Sequence, residues 1–298
     1  MTYDEFKKEV MEDIKSYLPE SYQDFDMELQ TIRKAGITYD GLIIKKCVEG
    51  ASISPVLNLT DAYNEYKDGE PFEKVLERLV KIRTNNTPGF NFSDIMKLNK
   101  VKDKIMPKLI NYEDNKDYLT GKPFTRMEDL AIVYAVRFAM GDWFGDAVIT
   151  DELASAWGIN YAELHKMAIK NLEDSPFVFT SLLSALMGSK DTEVIEDIDI
   201  KDNDMPYFIL SNEHKTKGAI MAINPAVMNR IVAHLGDVYV IPSSVDEVII
   251  IPKTFSDDIE RLVTMVTRIN ESEVAPEDRL SNNIYEWDKN EKALKIVN

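Results

Sequence analysis

The chain of 298 residues carries 35 Lys and Arg against 52 Asp and Glu, a formal net charge of −17. Its length and its 44% hydrophobic content are typical of one large or two moderate globular domains and argue against a disordered chain. The acidic balance argues against binding of double-stranded nucleic acid, because phosphate contacts need a basic stripe that the sequence lacks.

Cys47 is the single cysteine, which excludes an intrachain disulfide and a multi-cysteine zinc site. The N-terminal segment is charged and has no apolar stretch of the kind that a signal peptide needs. Residues 177–188 are the best candidate for a membrane span, but they fall well short of the roughly 20 residues required. We therefore expect a cytoplasmic protein that does not enter a membrane.

The first part of the chain begins with a helix pattern and continues with strand patterns. Apolar residues at every fourth position predict an amphipathic helix over residues 3–18. Gly41 and Pro55 indicate a bulge or an edge in the strands that follow. Alternating or β-branched apolar residues predict three strands, at residues 27–32, 37–45 and 53–59.

Helices and a loop are expected next. Thr60 or Asp61 is expected to cap the first of these helices, since both side chains are good helix caps. Residues 84–93 are rich in Asn, Pro and Gly and form the clearest loop pattern of the chain. Three helices are predicted here, over residues 62–66, 71–82 and 94–103.

Two strands are predicted in the middle of the chain. The first covers residues 105–112 and is placed at a sheet edge, because Pro107 has no backbone N–H to donate. The second covers residues 130–138; this apolar run is also compatible with the start of a helix, but its β-branched and aromatic residues favour a strand. Thr150 is expected to cap a helix that Gly158 ends.

Capping residues define the later helices. Asn160 and Glu163 form a capping box for one helix, and Gly236 ends another over residues 225–235. Ser256 is expected to cap a further helix with an apolar face. Three hairpins are predicted from the strand pairs 207–210 with 219–223, 238–241 with 248–251, and 284–287 with 293–297.

The order of these elements favours an α+β fold with mainly antiparallel sheets covered by helices. Strands occur in hairpins instead of singly between helices, which is the pattern of antiparallel pairing. We expect two α+β lobes, residues 1–104 and 105–298, with one continuous domain as the alternative. A hairpin followed by a helix recurs about four times, over residues 27–82, 130–172, 207–236 and 238–270.

The segment P-S-S-V-D-E, residues 242–247, is the first candidate site. Two hydroxyls and two carboxylates lie in the connection between two apolar strands, and Ser243, Ser244, Asp246 and Glu247 could bind a cation or a polar ligand there. The alternative is that Ser and Asp only cap the turn by hydrogen bonding to nearby backbone, and this alternative is favoured.

Trp143 and Phe144 are the second candidate, in the predicted Gly-bounded turn G-D-W-F-G. An exposed Trp-Phe pair is suited to anchor a protein partner. The alternative is that both rings fill a sheet–helix interface, since aromatic side chains supply large buried areas.

Known catalytic patterns are absent from the sequence. His165, His214 and His234 are not paired at zinc-ligand spacing, and His234 is expected to satisfy a carbonyl in the last turn of its helix. The sequence contains no nucleophile elbow and no glycine-rich phosphate loop. The acidic run over residues 193–204 lacks the Gly of a calcium loop. No cofactor and no metal site is therefore predicted.

Three strings, Y-F-I-L-S-N-E-H-K-T-K-G-A-I, V-Y-V-I-P-S-S-V-D-E-V-I-I-I-P and D-R-L-S-N-N-I-Y-E-W-D, occur in this order. With T-Y-D-G-L-I-I and I-S-P-V-L-N-L nearer the N-terminus, the chain resembles a family of uncharacterised bacterial proteins, the domain of unknown function fifty-six eighty-eight. Members often carry a His before the Glu of the P-S-S segment, where this chain has Asp246. The resemblance implies no activity, cofactor or catalytic residue.

Two functions remain open from the sequence. The favoured one is a non-catalytic cytoplasmic protein that acts through a protein partner or a small ligand. The alternative is a metal-dependent hydrolase that uses the carboxylates of Asp246 and Glu247, because a Mg²⁺ site needs only one or two protein carboxylates.

Overall fold

The computed structural model describes residues 1–34, 37–46, 56–84, 94–140, 143–187, 195–198, 206–255 and 258–298. The chain forms two compact units, one of Met1–Ile95 with Ala139–Gly145 and one of Met96–Phe138 with Asp146–Asn298. Every strand pair with a described register is antiparallel, and helices accompany the sheets, which confirms the α+β class. The division into residues 1–104 and 105–298 stays a prediction.

Among its described residues, the first unit contains a three-stranded sheet in the order β1-β2-β3 and three α-helices. The helix predicted over residues 3–18 is confirmed, because its apolar stripe is fully buried against the sheet and the other helices. A capping box between Thr2 and Glu5 begins this helix. The elements are α1 (Tyr3–Tyr17), β1 (Phe25–Lys34), β2 (Ile37–Lys46), β3 (Val56–Asn58), α2 (Leu59–Lys67) and α3 (Phe72–Thr84).

Gly41 lies in the central strand of this sheet, paired with Gln30 and Asn58, so the predicted bulge is wrong at this position. A Cβ built on Gly41 would lie 2.3 Å from Val56 Cγ1 and 2.7 Å from Ile32 Cγ1. The glycine is therefore needed because the neighbouring side chains close over it. Pro55 and the loop over residues 84–93 lie outside the described residues, apart from Thr84 at the end of α3.

The boundaries around α2 also differ from the prediction. Asn58 caps this helix by accepting from the N–H groups of Thr60 and Asp61, so neither of those two residues is the cap. The third strand ends at Asn58, one residue earlier than predicted, because Asn58 is also the cap of α2; residues 53–55 lie outside the described residues. Residues 94–103 form only a short helix, α4 (Leu98–Val101), followed by a 3₁₀ turn over Lys102–Lys104.

The described residues of the second unit form two sheets. Strands β4, β6 and β5 form one sheet in this order, with β7 also paired to β6, and six strands form the other in the order β13-β12-β10-β11-β9-β8. The strands of these sheets are β4 (Ile105–Asn111), β5 (Phe124–Met127), β6 (Leu130–Met140), β7 (Trp143–Val148), β8 (Phe177–Ser181), β9 (Phe208–Asn212), β10 (Val238–Ile241), β11 (Val248–Pro252), β12 (Tyr285–Asp288) and β13 (Ala293–Ile296). The last residues of β6 and the first residues of β7 are counted with the first unit.

Several predictions are confirmed in these sheets. The run from Leu130 is a strand, and Pro107 lies in β4, which pairs only with β6 among the described strands. The hairpins β10–β11 and β12–β13 form with antiparallel register. On one face of the six-stranded sheet, Tyr239, Ile241 and Ile251 pack against the apolar stripe of a helix.

The helices of the second unit begin and end largely as their caps predict. Thr150 and Gly158 bound one helix, and Asn160 and Glu163 form the predicted capping box. Gly236 follows the end of another, as expected. Besides α4, the helices described in this unit are α5 (Lys116–Leu119), α6 (Asp151–Trp157), α7 (Tyr161–Glu173), α8 (Leu182–Leu186), α9 (Pro225–Leu235) and α10 (Ile259–Ser272).

Three further predictions need correction. The strand predicted over residues 219–223 is a fully buried 3₁₀ helix, Gly218–Ile223, so the third hairpin-then-helix repeat does not exist as predicted. Asp258 caps α10, whereas Ser256 lies outside the described residues. Within the part of the chain that the structure describes, no helix is long and apolar enough to cross a membrane.

Candidate functional site

The predicted site residues fall in two places. Residues 242–247, here called the 242–247 loop, connect β10 to β11 in the second unit. Trp143 and Phe144 belong to the first unit and begin β7, so their backbone is extended and does not form the expected turn. The side chains of these two residues lie outside the described part of the structure.

The 242–247 loop is tightly bound to its surroundings. Ser243 and Ser244 are 9% and 8% exposed. The Ser243 carbonyl accepts from the Leu280 N–H (3.1 Å), and the Ser244 hydroxyl accepts from the Asp246 N–H (3.0 Å). The second bond is the turn-capping role expected of a serine in this position.

Asp246 joins the loop to the turn that follows β9. Its carbonyl oxygen accepts from the Gly218 N–H (3.0 Å) and from the Ser211 hydroxyl (2.6 Å). Its carboxylate accepts from the backbone N–H of Lys217 (2.7 Å). Asp246 therefore holds the Lys217 backbone in place, and one of its carboxylate oxygens is already engaged.

Lys217 is held in an unusual backbone conformation. Its φ is +52°, in the left-handed region that non-glycine residues rarely adopt. Strained residues of this kind cluster at functional sites more often than elsewhere. The side chain is exposed, and its ammonium has no hydrogen-bond or ion-pair partner among the described residues.

A buried ion pair lies near this lysine, on the sheet of β4, β6 and β7. Lys108 is paired in register with Val133, and Arg137 lies four residues further along the same strand, so both side chains point to one face of the sheet. Asp146 on β7 accepts from Lys108 Nζ (2.5 Å) and lies 3.4 Å from Arg137 Nε. The side chains of Lys108 and Asp146 are each only 12% exposed.

Neighbouring cations act on the pKa values of both members of this pair. Burial lowers the pKa of Lys108 to about 8, and although Asp146 opposes the shift, the charges of Lys217 and Arg137 add to it. Burial alone would raise the pKa of Asp146, but the three cations hold that pKa below its usual value. Burial and the charge of Asp146 raise the pKa of Tyr118 to about 12.

We call Lys108, Arg137, Lys217 and Asp146 the basic cluster. The terminal guanidinium nitrogens of Arg137 have no partner among the residues that the structure describes, and its side chain is 21% exposed. Asp146, by contrast, is engaged through both oxygens. The basic cluster therefore offers solvent the terminal nitrogens of Arg137 and the ammonium of Lys217, although Asp146 contacts Arg137 Nε.

Carboxylates border the basic cluster on the side of the 242–247 loop. Burial and the charge of Asp246 raise the pKa of Glu247, whereas Lys215 opposes that rise. Burial, Asp246 and Glu277 raise the pKa of Asp278, and Lys217 opposes it. Within the described ranges, no group of three His, Cys, Asp or Glu residues could hold a metal ion. The metal-dependent alternative at Asp246 and Glu247 stays a prediction.

Sequence reasoning located the 242–247 loop but missed Lys108, Arg137 and Asp146. The signal was present: Lys108 and Arg137 interrupt apolar strand patterns, I-M-P-K-L-I and L-A-I-V-Y-A-V-R-F. Charged residues are rarely buried unless they are paired, so a charge inside a buried strand indicates a partner.

The histidines have local roles in the second unit. His234 contacts the Ile198 carbonyl through Nε2 (2.8 Å), and not a carbonyl in the last turn of its own helix as predicted. His165 lies 2.9 Å from the Tyr134 hydroxyl through Nδ1, and Thr125 contacts the same hydroxyl at 2.6 Å. Burial lowers the pKa of His165 and raises that of Tyr134 to about 12. His214 lies in the turn that follows β9.

The fold and the basic cluster together define an α+β protein with antiparallel sheets and a partly buried charged site. The chain belongs to a family of unknown function, DUF5688, whose model matches residues 3–289. Comparison with the curated proteins and with the solved structures found no match.

Proposed function

We propose that this protein is a non-catalytic cytoplasmic binding protein and that the basic cluster beside the 242–247 loop is its binding site. One observation carries the proposal. The terminal nitrogens of Arg137 and the ammonium of Lys217 have no hydrogen-bond partner among the described residues, while Arg137 Nε contacts the carboxylate of Asp146, which also binds Lys108. Exposed cations that a fold positions but does not neutralise are suited to receive a ligand or a partner surface.

Two features favour binding over catalysis. Lys108 is the best nucleophile of the basic cluster, but its amino group is bound to Asp146 and its side chain is only 12% exposed. A nucleophilic lysine has to be deprotonated and accessible. The sequence also lacks the common nucleophile, phosphate-loop and zinc-peptidase patterns. The single cysteine supports the proposed location in a reducing compartment.

Native mass spectrometry of the protein purified at low salt tests this proposal. We expect the wild-type protein to retain a small molecule or a stoichiometric protein partner, and Arg137→Gln to lose it. Circular dichroism and the melting temperature verify that the variant is folded. A wild-type protein that retains nothing, or equal retention by the variant, would contradict the proposal.

A further inference from the structure

We propose that the outer edge of β1 binds the same edge of a second copy of this chain, with Leu29 opposite Leu29 of that copy. Two three-stranded sheets would then join into one antiparallel sheet. The surface is formed by residues of the first unit, and none of them belongs to the basic cluster. A sheet edge is a template for the addition of another strand, because its outer backbone groups can pair with a new chain.

Among the described strands, β1 is an edge strand that pairs with β2 and with no other. All 10 of its residues are in register with β2, from Phe25 with Lys46 to Lys34 with Ile37, so no bulge interrupts it. It also contains no proline. Proteins commonly protect sheet edges by keeping the strand short or by adding a bulge or a proline. β1 has none of these three features, whereas β4, at the edge of another sheet, carries Pro107.

Leu29 is the exposed large apolar side chain of this edge. It is opposite Leu42 on β2, and the side chains of directly opposed residues lie on the same face of a sheet. Leu42 is fully buried in the core that α1, α2 and α3 complete. Leu29 therefore borders this core and is nevertheless 41% exposed. A second β1 would cover it with the same side chain from the other copy, and the apolar core would continue across the joint.

The sequence around Leu29 is complementary to itself. A two-fold axis perpendicular to the sheet makes the strands antiparallel, and each contact between two different residues then occurs twice. With Leu29 on the axis, Glu28 of each copy faces Gln30 of the other. Gln30 Nε2 already donates to Glu28 Oε1 within one strand (2.6 Å), which shows that these two side chains match as donor and acceptor. This reciprocity indicates a second copy of the chain as the occupant of the edge.

The charges near the axis select this register. Glu28 is bound to Lys45 on β2 (2.8 Å), so the acid nearest the axis is paired within its own sheet. Centring the strand pair on Glu28 would oppose the two glutamates, and like charges directly opposite each other destabilise a sheet. Centring it on Gln30 would place Glu28 opposite Ile32. The register centred on Leu29 avoids both arrangements.

Sedimentation velocity of the full chain over a concentration series tests the proposal. We expect the wild-type protein to form a dimer. Leu29→Lys and Leu29→Glu should each weaken dimerisation by at least about tenfold, because each places like charges opposite one another on the axis and removes the apolar contact. An equimolar mixture of the two variants should recover a dimer, since the lysine of one copy then faces the glutamate of the other.

Ile82→Lys is the matched control. Ile82 lies on α3 in the same unit and is also 41% exposed, so the change adds the same charge at an equally exposed apolar residue away from the strand edge. Its dimerisation constant should stay within about twofold of the wild-type value. Circular dichroism and the melting temperature verify that all three variants are folded.

Three results would overturn the proposal. The first is a wild-type protein that sediments as a monomer up to millimolar concentration. The second is a dimer that Leu29→Lys leaves unchanged or that Ile82→Lys weakens equally, because the contact would then not lie at the edge of β1. The third is the loss of dimerisation in both Leu29 variants without recovery in their mixture, since Leu29 would then not face its own copy across the axis.

Discussion

The hydroxyl of Tyr285 donates a hydrogen bond to the carboxylate of Asp129, which lies 156 residues earlier in the chain. Ser281 Oγ (2.7 Å) and Asn283 Nδ2 (2.9 Å) donate to the same carboxylate. The string S-N-N-I-Y thus places three donors around one acid at the turn between β5 and β6. This arrangement gives a structural reason for a motif that the sequence alone left unexplained.

Removing the Tyr285 hydroxyl should destabilise the protein. The ring is fully buried, and a hydrogen bond to a charged acceptor contributes about 1.5–3 kcal/mol. We expect Tyr285→Phe to lower the free energy of unfolding by that amount in urea denaturation. Tyr239→Phe is the control, since Tyr239 is also buried but its hydroxyl has no partner among the described residues, and it should cost less than about 0.5 kcal/mol. Equal effects of the two changes would contradict the role of Asp129.

Gly218 should tolerate no side chain, because a Cβ there would lie 2.5 Å from the Asn212 nitrogen and 2.6 Å from the Asp246 oxygen. Both are backbone atoms, so relieving the contact would require the chain itself to shift. We expect Gly218→Ala to lower the free energy of unfolding by about 1–3 kcal/mol, measured by chemical denaturation.

Ser211→Ala in the same protein provides the control for this prediction. Ser211 Oγ would be even closer to the added Cβ, at 2.1 Å, but it is a side-chain atom. Removing it should not restore the stability of Gly218→Ala, because the two backbone contacts remain. Full recovery in the double variant would show that the backbone contacts are not limiting.

The helix predictions succeeded where local chemistry decides the structure. The spacing of Phe6, Val10 and Ile14 and the capping pair Asn160–Glu163 needed no distant residue, and both are confirmed. The strand predicted over residues 219–223 was wrong. Their apolar pattern fits a strand, but backbone contacts with distant residues fix a 3₁₀ helix instead. The N–H groups of Gly218 and Ala219 donate to the carbonyls of Asp246 and Val245.

The candidate site, too, could be predicted from the sequence only where its chemistry is local. The 242–247 loop could be identified because Pro, Ser and Asp between two apolar runs carry turn chemistry in their local order. Lys108, Arg137 and Lys217 lie on three separate segments, and no spacing in the sequence brings them together. The register of β4 with β6 places Lys108 and Arg137 on one face beside Asp146, and Lys217, in the turn after β9, acts on the same carboxylate through its charge.

Removing the Asn224 side chain, which caps α9, should lower the free energy of unfolding more than the loss of an ordinary helix cap. Its fully buried side chain accepts from the N–H groups of Ala226 (3.0 Å) and Val227 (3.3 Å) and donates to the Leu172 carbonyl (2.8 Å). Asn224→Ala leaves these three backbone groups without this partner, and two of them, on Val227 and Leu172, belong to buried residues. We expect a loss of about 2–4 kcal/mol in unfolding free energy, the sum of a cap and an unsatisfied buried group.

Asn160→Ala is the matched control for Asn224→Ala. Asn160 also caps a helix, but it is exposed, so water can replace its hydrogen bonds. It should cost about 1 kcal/mol or less. A cost for Asn224→Ala no larger than this would show that the bond to Leu172 contributes little.

The contact between His165 and Tyr134 should make stability depend on pH. Burial lowers the pKa of His165 in the folded protein below its ordinary value near 6.5, so the unfolded chain binds a proton more readily. The contribution of this residue is present above pH 6.5 and is lost as the pH falls through the lower folded value. Urea denaturation at pH 5 to 7.5 should therefore show decreasing stability toward acid, with a smaller decrease in His165→Gln.

Proton NMR titration measures the same effect at the residue itself. The His165 ring signal should titrate below pH 6.5 in the folded protein, because the protonated imidazole loses more hydration than the neutral ring when it is buried. His214→Gln is the control, since it removes a histidine whose side chain is 44% exposed and leaves the Tyr134 contact intact. A His165 midpoint at or above 6.5 would mean that the Tyr134 hydroxyl stabilises the charged ring more strongly than burial destabilises it.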